Sequence, residues 1–284
     1  MTNAPIVVPL DGSKNSELAV PAAALFARLY EAPVTFVHVA PAKAHGSSKE
    51  RERAHQVFED YVLGLAEERG IARDQCTVEL LYGNAAEEVL DLAEGAQFIV
   101  LATHGRGGFR AALVGSVADK VVRGATSPVL LVPVHGETQR RQDRPILVAV
   151  DGSAAAEAGL AFARDLGKRA GQPVTLVRAY DILPAMPAEL MYYPADLVGV
   201  NESTAKDYLA ATAHSNEDTL LGQGRPDVVI AKAAKDIDAA LVVMATRGMG
   251  LARRITLGST TDHLMREIDR PLLIVPAPRK ADEG

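Results

Sequence analysis

The stretch that decides the fold is "IVVPLDGSKNSELAV", residues 6–20, in which a short apolar run is followed by Asp-Gly-Ser and a segment with helical spacing. Residues 6–10 are rich in valine and isoleucine, which favours a buried β-strand. Asp-Gly-Ser directly after such a strand is typical of a turn that leads into a helix. The stretch therefore predicts the strand, turn and helix that open an α/β domain.

The same pattern occurs a second time, as "ILVAVDGSAAAEAGL" at residues 146–160. Further pairs recur at nearly the same interval along the chain, namely Gly105 with Gly248, Gly115 with Gly258, and Pro128 with Pro271. Self-similarity of this kind indicates a duplication. We expect one domain over residues 1–137 and a second over residues 145–284, joined by the polar stretch "HGETQRRQDR".

Strands and helices alternate within each half. In the first half the apolar runs predict strands at residues 6–10, 34–39, 77–81, 98–102 and 129–132. Helical patterns fill the intervals, at residues 13–30, 49–69, 85–94 and 116–124, and Pro21 should kink or break the first of them. This order predicts two tandem, doubly wound, open parallel sheets of five strands each, of the Rossmann-like kind.

The second half departs from this plan in its middle. Residues 181–203, "DILPAMPAELMYYPADLVGVNES", carry three prolines and are expected to form a loop or lid. The helix and strand that follow are predicted to be shortened, and "EDTLL" is a weak strand pattern.

Composition limits the classes of partner. The 284 residues carry 30 basic and 36 acidic side chains, a net charge of −6, which argues against a general nucleic-acid binder. The single cysteine, Cys76, allows no intrachain disulfide. There is neither a secretory leader pattern nor an apolar run long enough to span a membrane. We therefore expect a cytoplasmic protein that binds neither nucleic acid nor membrane.

Two glycine-rich stretches occupy equivalent positions, "ATHGRGGFRAALVGS" at residues 102–116 and "ATRGMGLARRITLGS" at residues 245–259. Each follows a predicted strand and ends in Gly-Ser at the start of a helix. Glycines allow backbone N–H groups to approach an anion, and a helix N-terminus adds a partial positive charge. A phosphate chain suits such a loop, and Asp11 and Asp151 are placed to meet a ribose hydroxyl or Mg²⁺.

Several other chemistries are excluded by missing motifs. The chain has no Gly-x-x-x-x-Gly-Lys-Ser/Thr, no Gly-x-Ser-x-Gly and no His-Glu-x-x-His. His38 aligns with Arg178 and His104 with Arg247, so the two halves share no histidine and no catalytic residue is identified. The charged segment at residues 49–55 is predicted to be a solvated helix face.

Together these motifs resemble the universal stress protein family in its tandem two-domain form, over nearly the whole chain. The nucleotide motif of that family is a glycine, two residues, a glycine, nine residues, and glycine followed by Ser or Thr. Both halves match its later part, whereas Ala102 and Ala245 replace the first glycine. The resemblance implies a fold like that of the adenine nucleotide alpha hydrolases, with the halves paired through their last strands about a pseudo-twofold axis.

The resemblance also implies the residues that bind the nucleotide, with the base against Val39 or Ala179 and the phosphates at the Gly-Ser positions. In the first half these residues are Pro9, Asp11, Gly12, Ser13, Val39, Ala102, His104, Gly105, Arg106, Gly107, Gly115, Ser116 and Val117. In the second half they are Ala149, Asp151, Gly152, Ser153, Ala179, Ala245, Arg247, Gly248, Gly258, Ser259 and Thr260. Asp11 and Asp151 are the expected ligands of Mg²⁺ bound with ATP.

The leading functional hypothesis is an ATP-binding module for signalling or regulation in a stress response. Three alternatives stay open at this point: a slow ATPase acting in the same crevice, a binder of AMP or cyclic AMP, and an interaction scaffold that binds no nucleotide. The expected partners are an adenine nucleotide, a second copy or the pseudo-dimer within the chain, and an unidentified protein.

Overall fold

A computed structural model of the chain describes residues 4–44, 46–103, 114–134, 143–180, 202–246 and 257–277. The chain divides into two compact units. The division does not follow the sequence halves throughout, because the last strand belongs with the first unit. The continuous boundaries 1–137 and 145–284 stay a prediction.

The first half alternates strands and helices in the predicted order. Its strands are β1 Ile6–Pro9, β2 Val34–Ala40, β3 Cys76–Tyr82, β4 Phe98–Ala102 and β5 Val129–Val132. Its helices are α1 Lys14–Glu17, α2 Ala19–Tyr30, α3 Ser48–Glu67, α4 Ala85–Leu92 and α5 Ser116–Gly124, with short 3₁₀ turns at Ala42–Ala44 and Arg73–Gln75. Pro21 lies in the first turn of α2, just after the break at Leu18, so the predicted interruption is confirmed.

The five strands of the first half are parallel and lie in the order β3-β2-β1-β4-β5. Strands β1 and β4 are neighbours, with Ile6 opposite Phe98, although two strands separate them along the chain. The order reverses between them, and ligands of open α/β sheets bind at such a switch point, beyond the carboxyl ends of the strands. The segments that follow β1 and β4 therefore flank one crevice.

The core of the first unit lies on both sides of this sheet. All three residues Ile6, Val7 and Val8 are fully buried, which is the continuous apolar pattern of a sheet covered by helices on both faces. Phe26 and Tyr30 of α2 pack on Phe98, with ring centroids 5.0 and 4.8 Å from that of Phe98.

The second half repeats the plan with a shorter middle. Its elements are β6 Ile146–Ala149, α6 Ala154–Ala170, β7 Val174–Tyr180, α7 Glu202–Thr212, β8 Asp218–Gln223, α8 Pro226–Asp236, β9 Leu241–Ala245, α9 Ser259–Glu267 and β10 Leu272–Val275. Strands β8, β7, β6 and β9 are parallel and adjacent in that order, so the switch point lies between β6 and β9. Most of the predicted lid, residues 181–201, lies outside the described residues.

The last strand, β10, runs antiparallel to β5, with Leu272 opposite Leu131 and Ile274 opposite Val129. Both strands are fully apolar and buried. This is the pairing of last strands that the resemblance implies. The pseudo-twofold axis itself stays a prediction.

A membrane-spanning helix would need a long, uncharged apolar stretch, and none of the helices in the described parts of the chain has one.

Candidate functional site

Each half carries the same Asp-Gly-Ser turn at the end of its first strand. Oδ1 of Asp11 accepts hydrogen bonds from the backbone N–H of Ser13 at 2.9 Å and from its hydroxyl at 2.5 Å. In the second half, Oδ1 of Asp151 accepts from the N–H of Ser153 at 2.9 Å. The middle glycines have φ of +76° and +88°, which a residue with a side chain rarely adopts. The turn thus holds each carboxylate at the carboxyl end of its strand.

The two serines of these turns also cap the helices that follow. The hydroxyl of Ser13 accepts from the N–H of Ser16 at 3.2 Å, and that of Ser153 accepts from Ala156 at 3.1 Å. The N-termini of α1 and α6 are therefore partly satisfied by their own side chains.

Helix α5 begins differently. Its N-cap is Gly115, and no side chain in the described part of the chain caps it. The N–H of Gly115 donates to the carbonyl of Thr103 at 2.7 Å, which fixes the start of α5 beside the end of β4. Uncapped N–H groups at a helix N-terminus bind anions, because the helix dipole adds to their hydrogen bonds. The start of α5 therefore brings a helix N-terminus without a side-chain cap to the switch point.

The second half places α9 in the same way. The N–H of Gly258 donates to the carbonyl of Thr246 at 3.2 Å. A Cβ at Gly258 would lie 3.6 Å from that carbonyl oxygen, an ordinary contact distance. The two threonine carbonyls were not predicted as part of the site. Their sequence signal is only that a threonine follows each alanine at the end of β4 and β9.

The predicted site residues that the structure describes lie at strand ends or helix starts around the two crevices. Those of the first half are Pro9, Asp11, Gly12, Ser13, Val39, Ala102, Gly115, Ser116 and Val117. Those of the second half are Ala149, Asp151, Gly152, Ser153, Ala179, Ala245, Gly258, Ser259 and Thr260. The remaining ones, His104, Gly105, Arg106, Gly107, Arg247 and Gly248, lie outside the described residues, and their contribution stays a prediction.

The alanines that replace the first glycine of the motif end strands β4 and β9. Ala102 and Ala245 expose only 9% and 8% of their surface. The fold thus accommodates both methyl groups within its buried part.

A cavity of about 460 Å³ lies between the first Asp-Gly-Ser turn and helix α3. Its lining residues are Asp11, Gly12, His38, Glu50, Arg53, Ala54, Val57, Phe58 and Tyr61. Nδ1 of His38 lies 2.7 Å from the carbonyl oxygen of Leu10 and must donate to it, because a carbonyl only accepts. The ring of Phe58 lies 5.5 Å from that of His38. Aromatic and apolar walls with a few polar groups suit a planar heterocycle.

Sequence reasoning missed the contribution of α3 to this cavity. Glu50, Arg53 and Ala54 belong to the segment predicted as a solvated helix face, and they are exposed but also line the cavity. The sequence signal for the role of α3 was the apolar stretch after this charged segment. One residue of that stretch, Val57, remains 63% exposed in the structure.

A tyrosine–glutamate hydrogen bond ties the covering helix to the first turn in both halves. The Tyr61 hydroxyl donates to Oε1 of Glu17 at 2.6 Å, and the Tyr208 hydroxyl donates to Oε1 of Glu157. Burial and the hydrogen bond to the carboxylate raise the pKa of Tyr61, and the same causes raise the pKa of Tyr208 to about 12. Both tyrosines therefore stay protonated as donors at neutral pH.

The described residues contain no group of three or more His, Cys, Asp or Glu side chains that could hold a metal ion. Each crevice instead has one aspartate at its turn. This donor set fits Mg²⁺ that arrives with a nucleotide, since Mg²⁺ is commonly held by one or two carboxylates together with phosphate oxygens and water.

Comparison with known proteins agrees with this geometry. The family model described as the universal stress protein family matches residues 2–133 and again residues 144–276. The chain belongs to the universal stress protein family. A universal stress protein of Mycolicibacterium smegmatis is 26% identical over 290 residues, which cover 95% of this chain and 96% of that relative. The two copies of the Asp-Gly-Ser turn thus belong to two tandem universal stress protein domains.

Solved structures of the family show the same fold. A universal stress protein from Archaeoglobus fulgidus superposes with a TM-score of 0.71 at 21% identity, covering 96% of this chain and 98% of that one. A shorter universal stress protein from Archaeoglobus fulgidus, solved in complex with dAMP, is 26% identical over 46% of this chain and 98% of its own, with a TM-score of 0.38. Similarity at that level does not extend its ligand to this chain.

Proposed function

We propose that this universal stress protein is a regulatory module that binds ATP with Mg²⁺ in the crevices of its two halves. The observation that carries the proposal is the uncapped start of α5, tied to Thr103 at the end of β4, which is the strand beside the one that leads into the Asp11 turn. Free N–H groups beside a fixed carboxylate at a switch point suit a phosphorylated ribose compound. The second half repeats the carboxylate and the helix start.

In this proposal, each group of residues has a separate role. The N–H groups of Ser116 and Val117 bind phosphate oxygens, as do those of Ser259 and Thr260 in the second crevice. Asp11 and Asp151 bind a ribose hydroxyl or share Mg²⁺, which when bound neutralises phosphate charge. The base packs near Val39 in the first half, where the cavity beside Phe58 offers an apolar wall.

Regulation follows if the occupied crevice favours one arrangement of the surrounding elements. A ligand in the first crevice would touch both the β1 turn and the start of α5. The Tyr61–Glu17 hydrogen bond links the end of α1 to α3. Ligand binding then shifts the population toward the arrangement that binds it better, and a protein partner reads the change. The stress response, the partner, the cytoplasmic location and association of two chains belong to this proposal as predictions.

The test begins with the purified protein and the ligand it carries. Denaturation followed by mass spectrometry and ultraviolet absorbance identifies any released nucleotide, and the absence of tryptophan makes adenine easy to detect. Equilibrium dialysis with Mg-ATP, AMP and cyclic AMP then ranks the ligands. We expect close to two ATP per chain, and release of inorganic phosphate measures any slow hydrolysis.

Variants assign the sites. Asp11→Ala and Asp151→Ala should each remove one bound nucleotide, and the double variant should remove both. Asp60→Ala is the matched control, because Asp60 is an exposed aspartate of α3 whose side chain accepts a hydrogen bond from Gln56 of the same helix. If no nucleotide binds at millimolar concentration, the interaction scaffold is the better description.

A further inference from the structure

One difference between the two crevices lies in their second strands. Arg178 of β7 takes the place that His38 has in β2, two residues before the end of the strand. His38 lies opposite Leu80, and Arg178 lies opposite Leu221, so both occupy the same register in their sheets. A guanidinium, which is always charged in proteins, thus stands where the first half has an imidazole.

Arg178 is buried rather than extended into solvent. It exposes only 6% of its surface, and its guanidinium carbon lies 4.1 Å from the centre of the Tyr208 ring. A Cβ placed on Gly152 would lie 3.5 Å from Nη1 of Arg178 and 3.6 Å from Cε2 of Tyr208. The guanidinium is therefore held against the Asp-Gly-Ser turn on one side and the tyrosine ring on another.

One nitrogen of the buried guanidinium, Nη1, lacks the hydrogen bond that such burial demands. Nη1 of Arg178 is buried and has no hydrogen-bond partner in the described part of the chain. The nearby carboxylates are engaged elsewhere: Oδ1 of Asp151 accepts from Ser153, and Oε1 of Glu157 accepts from Tyr208. Contact with an aromatic face stabilises the cation but does not use its N–H donors. A buried charged donor without an acceptor is unfavourable, which makes an oxyanion the missing partner.

The first crevice offers no equivalent. The Nδ1–H of His38 is already donated to the carbonyl of Leu10, and the adjacent walls of the cavity include Val57 and Phe58. The first crevice therefore has an imidazole where the second has a buried guanidinium, and its lining arginine, Arg53, is exposed.

We propose that Arg178 is a ligand-binding residue of the second crevice and that it takes a phosphate oxyanion. The phosphate comes from free inorganic phosphate or from a nucleotide, and only the nucleotide source rests on the function proposed above. Held by the guanidinium beside Gly152 and the Tyr208 ring, the anion satisfies Nη1. The two halves of the chain therefore bind different chemical groups at equivalent positions.

Calorimetric titration of the intact chain with inorganic phosphate tests the proposal. We expect a phosphate site that depends on Arg178, whatever binds at the helix starts. Arg178→Met, which keeps the length of the side chain but removes its charge, should weaken phosphate binding at least tenfold. Arg178→Lys should retain part of the affinity, because it keeps the charge without the planar fork. Arg169→Met is the matched control, because Arg169 is an exposed arginine of α6 that pairs with Asp165, and it should leave phosphate binding unchanged.

Parallel titrations with AMP and adenosine identify the source of the phosphate. Tighter binding of AMP than of phosphate, lost in Arg178→Met, assigns the site to a nucleotide phosphate, whereas equal binding assigns it to the free anion. The proposal is overturned if the unaltered chain binds no phosphate, or if Arg178→Met and Arg178→Lys, both folded by circular dichroism, bind it as tightly as the unaltered chain. Failure of ATP to bind in the first crevice would reject the general function while leaving this result intact.

Discussion

The first crevice and the second share their supporting contacts but not the group that they present to a ligand. In both, an aspartate accepts a hydrogen bond from the serine two residues later. In both, a tyrosine donates a hydrogen bond to a glutamate of the helix that follows the Asp-Gly-Ser turn. They differ at His38 and Arg178. The comparison teaches that a duplicated α/β plan can keep the hydrogen bonds that shape its turns while the side chain facing the ligand changes.

The cores of the two halves differ as well. Beside β4, the first half packs Phe26, Tyr30 and Phe98 together. At the equivalent positions of the second half stand Leu166, Ala170 and Leu241, of which the two leucines are almost fully buried. Aromatic rings bury more area and interact through their edges, so the first half concentrates more of its stability in one cluster.

The largest effect is expected from removing an aromatic ring from this cluster. Phe98→Ala should lower the free energy of unfolding by about 3–5 kcal/mol, because it leaves a large cavity against two other rings. Leu241→Ala should cost less, about 2–3 kcal/mol. Urea unfolding followed by circular dichroism measures both. Val57→Ala, at an exposed position, is the control. If Leu241→Ala lowers the free energy of unfolding as much as Phe98→Ala or more, the aromatic cluster does not concentrate stability in the first half.

The next effect concerns the uncapped start of α5. Gly115→Asp places an N-cap side chain at backbone angles of φ −59° and ψ 146°, where its carboxylate accepts from the first turn of α5. The same carboxylate occupies the anion position. We expect ATP affinity in the first crevice to fall at least tenfold, about 1.4 kcal/mol, while thermal stability rises slightly. Gly258→Asp should do the same in the second crevice.

Calorimetry with Mg-ATP measures the expected loss of ATP affinity, and thermal unfolding measures the expected gain in stability. Gly64→Ala in α3 is the control: a Cβ there has open space, so stability should rise without any change in affinity. If Gly115→Asp binds ATP as tightly as the unaltered chain, the start of α5 is a helix end without a ligand-binding role.

The smallest effect is expected from the shared tyrosine–glutamate bond. Tyr208→Phe and Tyr61→Phe each remove one hydrogen bond to a carboxylate and should cost about 1 kcal/mol near neutral pH. The pKa of Tyr208 is raised to about 12 by burial and by the bond to Glu157. The folded protein thus keeps a proton that the unfolded chain loses near pH 10.

The contribution of Tyr208 is therefore fully present below pH 10 and is lost as the pH rises toward about 12, and Tyr208→Phe should remove this part of the pH dependence. Urea midpoints measured at neutral pH and across this alkaline range provide the test. A loss of stability from one of the two Tyr→Phe substitutions but not from the other would show that the two hydrogen bonds are not equivalent.

Much of the fold could be predicted from local sequence patterns. Helix α5 and strand β5 have the bounds that the sequence predicts, and the break before α2 follows from Pro21. Strand β8 forms although "EDTLL" is a weak strand pattern. Its partner β7 supplies the backbone hydrogen bonds, and strand formation depends on such pairing more than on intrinsic propensity.

The candidate site was predictable where it follows strand ends and unpredictable where a helix covers it. Asp11 and Gly115 could be placed because each directly follows or precedes an element at the same edge of the sheet. Phe58 and Tyr61 could not, since the face that α3 turns toward the crevice depends on how the helix packs. Nor did the sequence indicate that Arg178 would be buried under Tyr208.

By itself, the sequence determined the duplication, the alternation of strands and helices, and the turns with left-handed glycines, because these depend on residues a few positions apart. The tertiary structure decided which strands are neighbours, β1 beside β4 and β5 beside β10, and which side chains lose contact with water. Those outcomes depend on pairing and packing between residues far apart in the chain. The difference between His38 and Arg178 is visible in the sequence, but its chemical meaning comes from burial.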